Sequence, residues 1–126
     1  MLKNPRVGAV VFYVKDQQKS AAFYRDILGL KTREVPSHHG PFIMAEAGET
    51  LLIFFQRDEK PGNTPVVVFT LDRGIDDLVT QLAEKGVQIV MPVTAAPGGG
   101  HSADFVDPDG HALSFYQPEG APRRLK

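Results

Sequence analysis

The chain has 126 residues, of which 42% are hydrophobic, 23% charged and 9% aromatic, the make-up of one globular domain able to bury a core. Fourteen Lys and Arg against fifteen Asp and Glu leave a net charge of −1, so no basic field is available to hold a nucleic-acid backbone. Cysteine is absent, which removes disulfides, thiol nucleophiles, iron–sulfur clusters and cysteine-ligated zinc, and fits a cytoplasmic protein.

The N-terminal run Met1-Leu2-Lys3-Asn4-Pro5-Arg6 is charged and broken by proline where a signal peptide needs an apolar stretch. The longest apolar run, Ala9–Val14, is strand-sized, so no membrane span is expected. Val7–Val14 is β-branched and aromatic, hence a strand. Asp16 can cap a following helix in which Phe23, Tyr24, Ile27 and Leu28 form an apolar stripe, with Gly29 as its left-handed stop. Extended segments follow at Lys31–Val35, Phe42–Glu46 and Thr50–Gln56. His38 and His39 fall in a Pro/Ser/Gly loop between the first two. Arg57 and Asp58 end the third, where they could hold a charged ligand group at a rim or be ordinary exposed charges. Glu59-Lys60-Pro61-Gly62-Asn63-Thr64-Pro65 reads as a linker.

Val66–Leu71 is a second β-branched strand, and Ile75, Leu78, Val79, Leu82 and Ala83 give a clean amphipathic helix stopped at Gly86. Val87–Met91, His101–Val106 and Ala112–Gln117 are extended, and Asp107-Pro108-Asp109-Gly110 is a four-residue turn signal. Gly98-Gly99-Gly100 lacks the following Lys-Ser/Thr of a phosphate cradle, so it reads as a mobile loop. Pro118–Lys126, with two prolines, reads as a frayed tail.

An internal repeat underlies this order. Ala9–Val14 lies over Val66–Leu71 at an offset of 57, matching Val10/Val67, Val11/Val68 and Phe12/Phe69, and Gly29 falls on Gly86. Gly48–Gln56 lies over Asp109–Gln117 at an offset of 61. The fold class is therefore α+β: two βαβββ modules, about 7–57 and about 66–117, joined by a linker at about 58–65 and followed by the tail 118–126.

The module pattern, the Val14–Leu30 stretch with Phe-Tyr-Arg-Asp-Ile-Leu-Gly-Leu, and the Asp107–His111 turn resemble the vicinal oxygen chelate superfamily, the glyoxalase, bleomycin-resistance and extradiol-dioxygenase group. The resemblance implies a curved eight-stranded sheet with helices outside, a ligand cleft on the concave face, and a homodimer. In metal-using members one His or Glu comes from the first and last strand of each module. The matching positions here hold Ala9, Ile53, Val66 and Ser114. Three have no donor atom and the fourth is a poor ligand for zinc, nickel or iron, so no divalent-metal cofactor is expected.

Strand alternation extends that register to the whole cleft. Val11, Tyr13, Phe42, Met44, Phe55, Val68, Thr70, Ser114 and Tyr116 face it. If Asp107–Gly110 closes a simple hairpin, His101, Ala103 and Phe105 join them. The leading reading is a metal-free, glyoxalase-like protein that binds a small, partly apolar or aromatic molecule there. One alternative is a lyase, isomerase or dioxygenase-type enzyme, with a metal relocated to His38, His39 or His101, or with acid–base work by His101 and Tyr116. The other is a non-catalytic interaction or regulatory module. His111, beside the turn glycine, reads as a solvent-near strand start.

Overall fold

The computed structural model describes residues 1–58, 64–106 and 112–125. Most of the linker, the Asp107–Gly110 turn and His111 lie outside the described residues. The elements run β1 (Val7–Val14), α1 (Gln17–Ala22), a π-helical turn (Phe23–Ile27), β2 (Lys31–Val35), β3 (Phe42–Ala47) and β4 (Thr50–Gln56). They continue with β5 (Val66–Thr70), α2 (Ile75–Glu84), β6 (Ile89–Ala95), β7 (His101–Val106) and β8 (Ala112–Gln117). No helix among the described residues is long and apolar enough to cross a membrane.

The strands form one mixed, open sheet of eight, in the order β2-β3-β4-β1-β5-β8-β7-β6. Each half carries the same parallel pair at its centre: β1 beside β4, with Val11 opposite Ile53, and β5 beside β8, with Val68 opposite Ser114. These are the residues that the two repeat offsets equate. The halves join where β1 and β5 run antiparallel, pairing Ala9 with Val68 and Val11 with Val66. The match between those two pairings makes the join a local two-fold.

Apolar residues on the outer face bury against the helices. Ile43, Ala45 and Phe54 close on Ala21 of α1, with Phe12, Val14, Tyr24 and Leu52 around them. Phe105 and Phe115, their rings 4.9 Å apart, close on Leu71 and on Ile75, Leu78 and Leu82 of α2. Asp16 caps α1 as its sequence position suggests, its carboxylate accepting from the backbone N–H groups of Gln18 and Lys19 at 3.0 and 3.2 Å.

The expected apolar stripe of that first helix does not bury as a unit. Only Tyr24 packs, while Phe23, Ile27 and Leu28 are exposed. The helix widens at this point: the Leu28 N–H donates five residues back to the Phe23 carbonyl, which rotates the following side chains off the core face. In module two, Ile89–Ala95 replaces the expected strand Val87–Met91, because Val87 closes α2, its N–H donating to the Leu82 carbonyl.

The C-terminal segment is not frayed. It caps α2, whose first residue follows Gly74 with no side-chain cap of its own. The Gly74 N–H donates to the Pro122 carbonyl, Ile75 N–H to Gln117 Oε1 and Asp76 N–H to the Arg123 carbonyl, at 2.7, 3.0 and 3.0 Å. Gln117 is fully buried, and its Nε2 completes the arrangement by donating to the Ala121 carbonyl. Arg123 and Arg124 pair with Asp76 and Asp77 in the first helical turn. The tail is thus held by the helix end it satisfies.

Candidate functional site: the concave face

The inner face of the sheet is set by register. Ala9, Val11 and Tyr13 of β1 stand beside Leu51, Ile53 and Phe55 of β4, with Met44 of β3 opposite Ile53. On the other side of the join, Val66, Val68 and Thr70 of β5 lead to Ser114 and Tyr116 of β8. Curvature follows from a contact between distant strands: a Cβ on Gly98, in the β6–β7 loop, would lie 3.4 Å from Phe42 Cζ and 3.5 Å from Val35 Cγ1. Those residues belong to β3 and β2, at the opposite end of the strand order, so the sheet bends until one hairpin loop rests on the far rim.

That loop is fixed from below. Tyr116 OH donates to the Gly99 carbonyl at 3.1 Å, and the Gly100 N–H donates to Glu119 Oε2 at 2.9 Å. Burial, and then the Glu119 carboxylate, push the Tyr116 phenol above its ordinary range, so it stays a neutral donor at physiological pH. Gly98-Gly99-Gly100 is a bonded bridge over one end of the concave face.

Three expected cleft residues turn the other way. In the β7–β8 pairing His101 stands opposite Gln117, Ala103 opposite Phe115 and Phe105 opposite Leu113, all on the helix side. Five residues, not four, separate the paired Val106 and Ala112, and a shift of one residue sends every side chain of a strand to the opposite face. Phe105 is core, and His101 is withdrawn from any role on the concave face. Ser102 and Asp104 take their places, opposite Tyr116 and Ser114. The alternation of Ser102 and Asp104 with Ala103 and Phe105 was the signal in the sequence that could have found them.

The concave face is consequently two-sided. Module one supplies an aromatic end, where the Phe42 and Phe55 rings lie 5.0 Å apart and Tyr13 pairs with Phe55. Arg57 folds over it, its guanidinium carbon 5.3 Å from the Phe55 ring centre and 5.9 Å from that of Tyr13. Module two supplies the polar groups Thr70, Ser102, Asp104, Ser114 and Tyr116.

The four positions that could hold a metal do not suit one. Ala9, Ile53 and Val66 lack donor atoms. Ser114 is buried, and its hydroxyl donates to the Ala103 carbonyl at 3.1 Å, with the Phe115 carbonyl at 3.3 Å. His38 and His39 are exposed in the β2–β3 loop. Among the described residues no three His, Asp or Glu side chains gather into a metal-binding group.

The described elements make a curved sheet of two matched βαβββ units, with helices outside and a half-polar concave face. Residues 6–115 match the Glyoxalase/Bleomycin resistance protein/Dioxygenase superfamily, and the chain belongs to it. The fold is similar to that of hypothetical protein BH1468 from Bacillus halodurans C-125, at TM-score 0.76 and 18% identity over 93% of this chain and 96% of that one. It is also similar to a Legionella pneumophila structure described as an NAD-dependent benzaldehyde dehydrogenase, at TM-score 0.69 and 25% identity over 88% and 98% of the two chains. Methylmalonyl-CoA epimerase from Mycobacterium tuberculosis superposes at TM-score 0.75 with 14% identity over 94% and 93%. No curated protein matches the chain.

Proposed function

We propose that the protein binds a small, partly apolar or aromatic molecule on its concave face, without the superfamily's divalent metal. The observation that carries this reading is the chemistry of the floor. Four ligand positions hold Ala9, Ile53, Val66 and Ser114, and the one hydroxyl among them is committed to a backbone carbonyl. An aromatic wall facing a set of hydroxyls is the make-up of a binding site that orients a small organic molecule. Sequestration needs nothing more. The reading includes a homodimer, as the superfamily resemblance implies, and a cytoplasmic location, which rests on the cysteine-free composition.

Elemental analysis of purified protein, together with a thermal-shift screen of aromatic small molecules, tests it. The expected result is less than stoichiometric nickel, zinc, manganese and iron after dialysis, with stabilisation by some aromatic compounds. A stoichiometric metal that survives dialysis overturns the metal-free claim.

A catalytic reading is favoured by one observation, the carboxylate of Asp104 on the concave face opposite Ser114. It would serve as a general base. An activity abolished by Asp104→Asn but retained in His101→Ala would establish it.

A further inference from the structure

Arg57 lies just past β4, two residues beyond Phe55, and its N–H donates to the Val14 carbonyl at 3.0 Å. The β1–β4 ladder therefore extends to Arg57, and alternation puts its side chain on the same concave face as Phe55. There the guanidinium sits over both Tyr13 and Phe55, and the Phe55 ring continues to Phe42. Packing against two rings holds a long, otherwise mobile side chain in one place. One of its N–H groups is used locally, donating from Nη1 to the Gln56 carbonyl at 3.3 Å. A guanidinium held this way keeps the planar fork of donors that matches a carboxylate.

The register also places the other charges of the concave face. Asp104 stands in the row of Ser114, Val68 and Ala9, and Glu46 stands opposite Leu51 in that same row. Arg57 lies beyond the row of Tyr13 and Phe55, further along β1 and β4. The same pairings put Arg33 opposite Met44 and Lys31 opposite Glu46 on this face. Arg57 is the cation that lies on the aromatic pair, so a ligand carrying an anionic group beside a flat ring fits this end.

We propose that the concave face selects aromatic carboxylates, the ring against Tyr13, Phe55 and Phe42 and the carboxylate on Arg57. This rests on the reading of the concave face as a small-molecule site and adds to it the class of ligand.

The test is a calorimetric titration of the full chain with benzoate, phenylacetate and 2-naphthoate, each beside its neutral amide. The acids are expected to bind at least about tenfold more tightly than the amides, a difference of about 1.4 kcal/mol. Added salt is expected to narrow the acid–amide gap. Arg57→Gln is expected to abolish that preference, and Arg57→Lys, with charge but no fork, to restore part of it. Circular dichroism of each variant establishes that it is folded. Acids and amides binding alike, or an acid preference that survives Arg57→Gln, overturns the carboxylate subsite and leaves the aromatic site standing. Binding of neither series overturns both.

Discussion

Ser114 shows how a position can keep its place in the fold while changing its chemistry. Its hydroxyl bonds to the Ala103 carbonyl of the neighbouring strand, tying β8 to β7 beneath the concave face. Ser114→Ala should therefore act on stability, by about 1 kcal/mol, and leave ligand affinity unchanged; chemical denaturation and the titrations above would separate the two effects. The outer face has a steeper gradient. Phe115, 2% exposed against Phe105 and α2, should cost about 3–5 kcal/mol as Phe115→Ala. Ile27, 70% exposed on the π-helical turn, should tolerate Ile27→Ser within about 0.5 kcal/mol. That contrast checks that the first helix buries Tyr24 and not its whole apolar stripe. Gly100 is constrained twice, by φ of 81° and by space, since a Cβ there would lie 2.5 Å from the Gln117 carbonyl oxygen and 2.8 Å from Tyr116 Oη. Gly100→Ala should cost about 1–3 kcal/mol and should break the Tyr116–Gly99 bond that holds the bridging loop.

The elements that were legible in the sequence are those with a local cause. β4, β7 and β8 fall on the residues expected from β-branched and aromatic runs, Asp16 caps α1, and Gly29 and Gly86 stand at positive φ where the helices stop. What was not legible depends on contacts distant in sequence or on one-residue differences in spacing. The face of β7 turned on whether four or five residues separate Val106 from Ala112, so Asp104 was exchanged for His101 as a concave-face group. The tail looked frayed because its partners, the N–H groups at the start of α2, lie over 40 residues earlier. Removing residues 121–126 should leave the Gly74 and Asp76 N–H groups without acceptors, at about 1–3 kcal/mol for each that stays buried. Amide exchange should then speed up first at Gly74–Asp77. The same contact carries a pH dependence. The Leu125 N–H, and then Arg124, hold the Asp77 carboxyl below its ordinary range. A lowered folded-state value contributes stability above the unfolded one and loses it as the pH falls through the folded one. The tail should therefore loosen in acid below the usual carboxylate range, and only modestly, since Asp77 is solvent-accessible. Exchange at α2's first turn, followed against pH, measures this.

At the scale of the molecule, the two halves are held together by the β1–β5 pairing and by the β6–β7 loop resting on Phe42 and Val35. Neither half has a complete sheet without the other: β1 and β5 are both interior strands, each flanked by its own module on one side and by the other module on the other. A separated half would expose that central strand as an open edge, with the apolar floor of Val11 and Ile53, or of Val66 and Val68, uncovered beside it. Small units of this kind bury too little apolar surface to offset their chain entropy. The repeat in the sequence shows that the units correspond; their mutual dependence appears only in the register across β1 and β5. Expressed separately, residues 1–62 and 63–126 should each lack a cooperative thermal transition. Mixed at equal concentration they should recover one, because the antiparallel pairing of Ala9 with Val68 and Val11 with Val66 needs no covalent link. The recovered species should also regain the aromatic-ligand stabilisation of the intact chain, since Tyr13 and Phe55 come from one half and Thr70 and Tyr116 from the other. A half that melts cooperatively as a monomer would show that the β1–β5 join adds to stability without being required for folding.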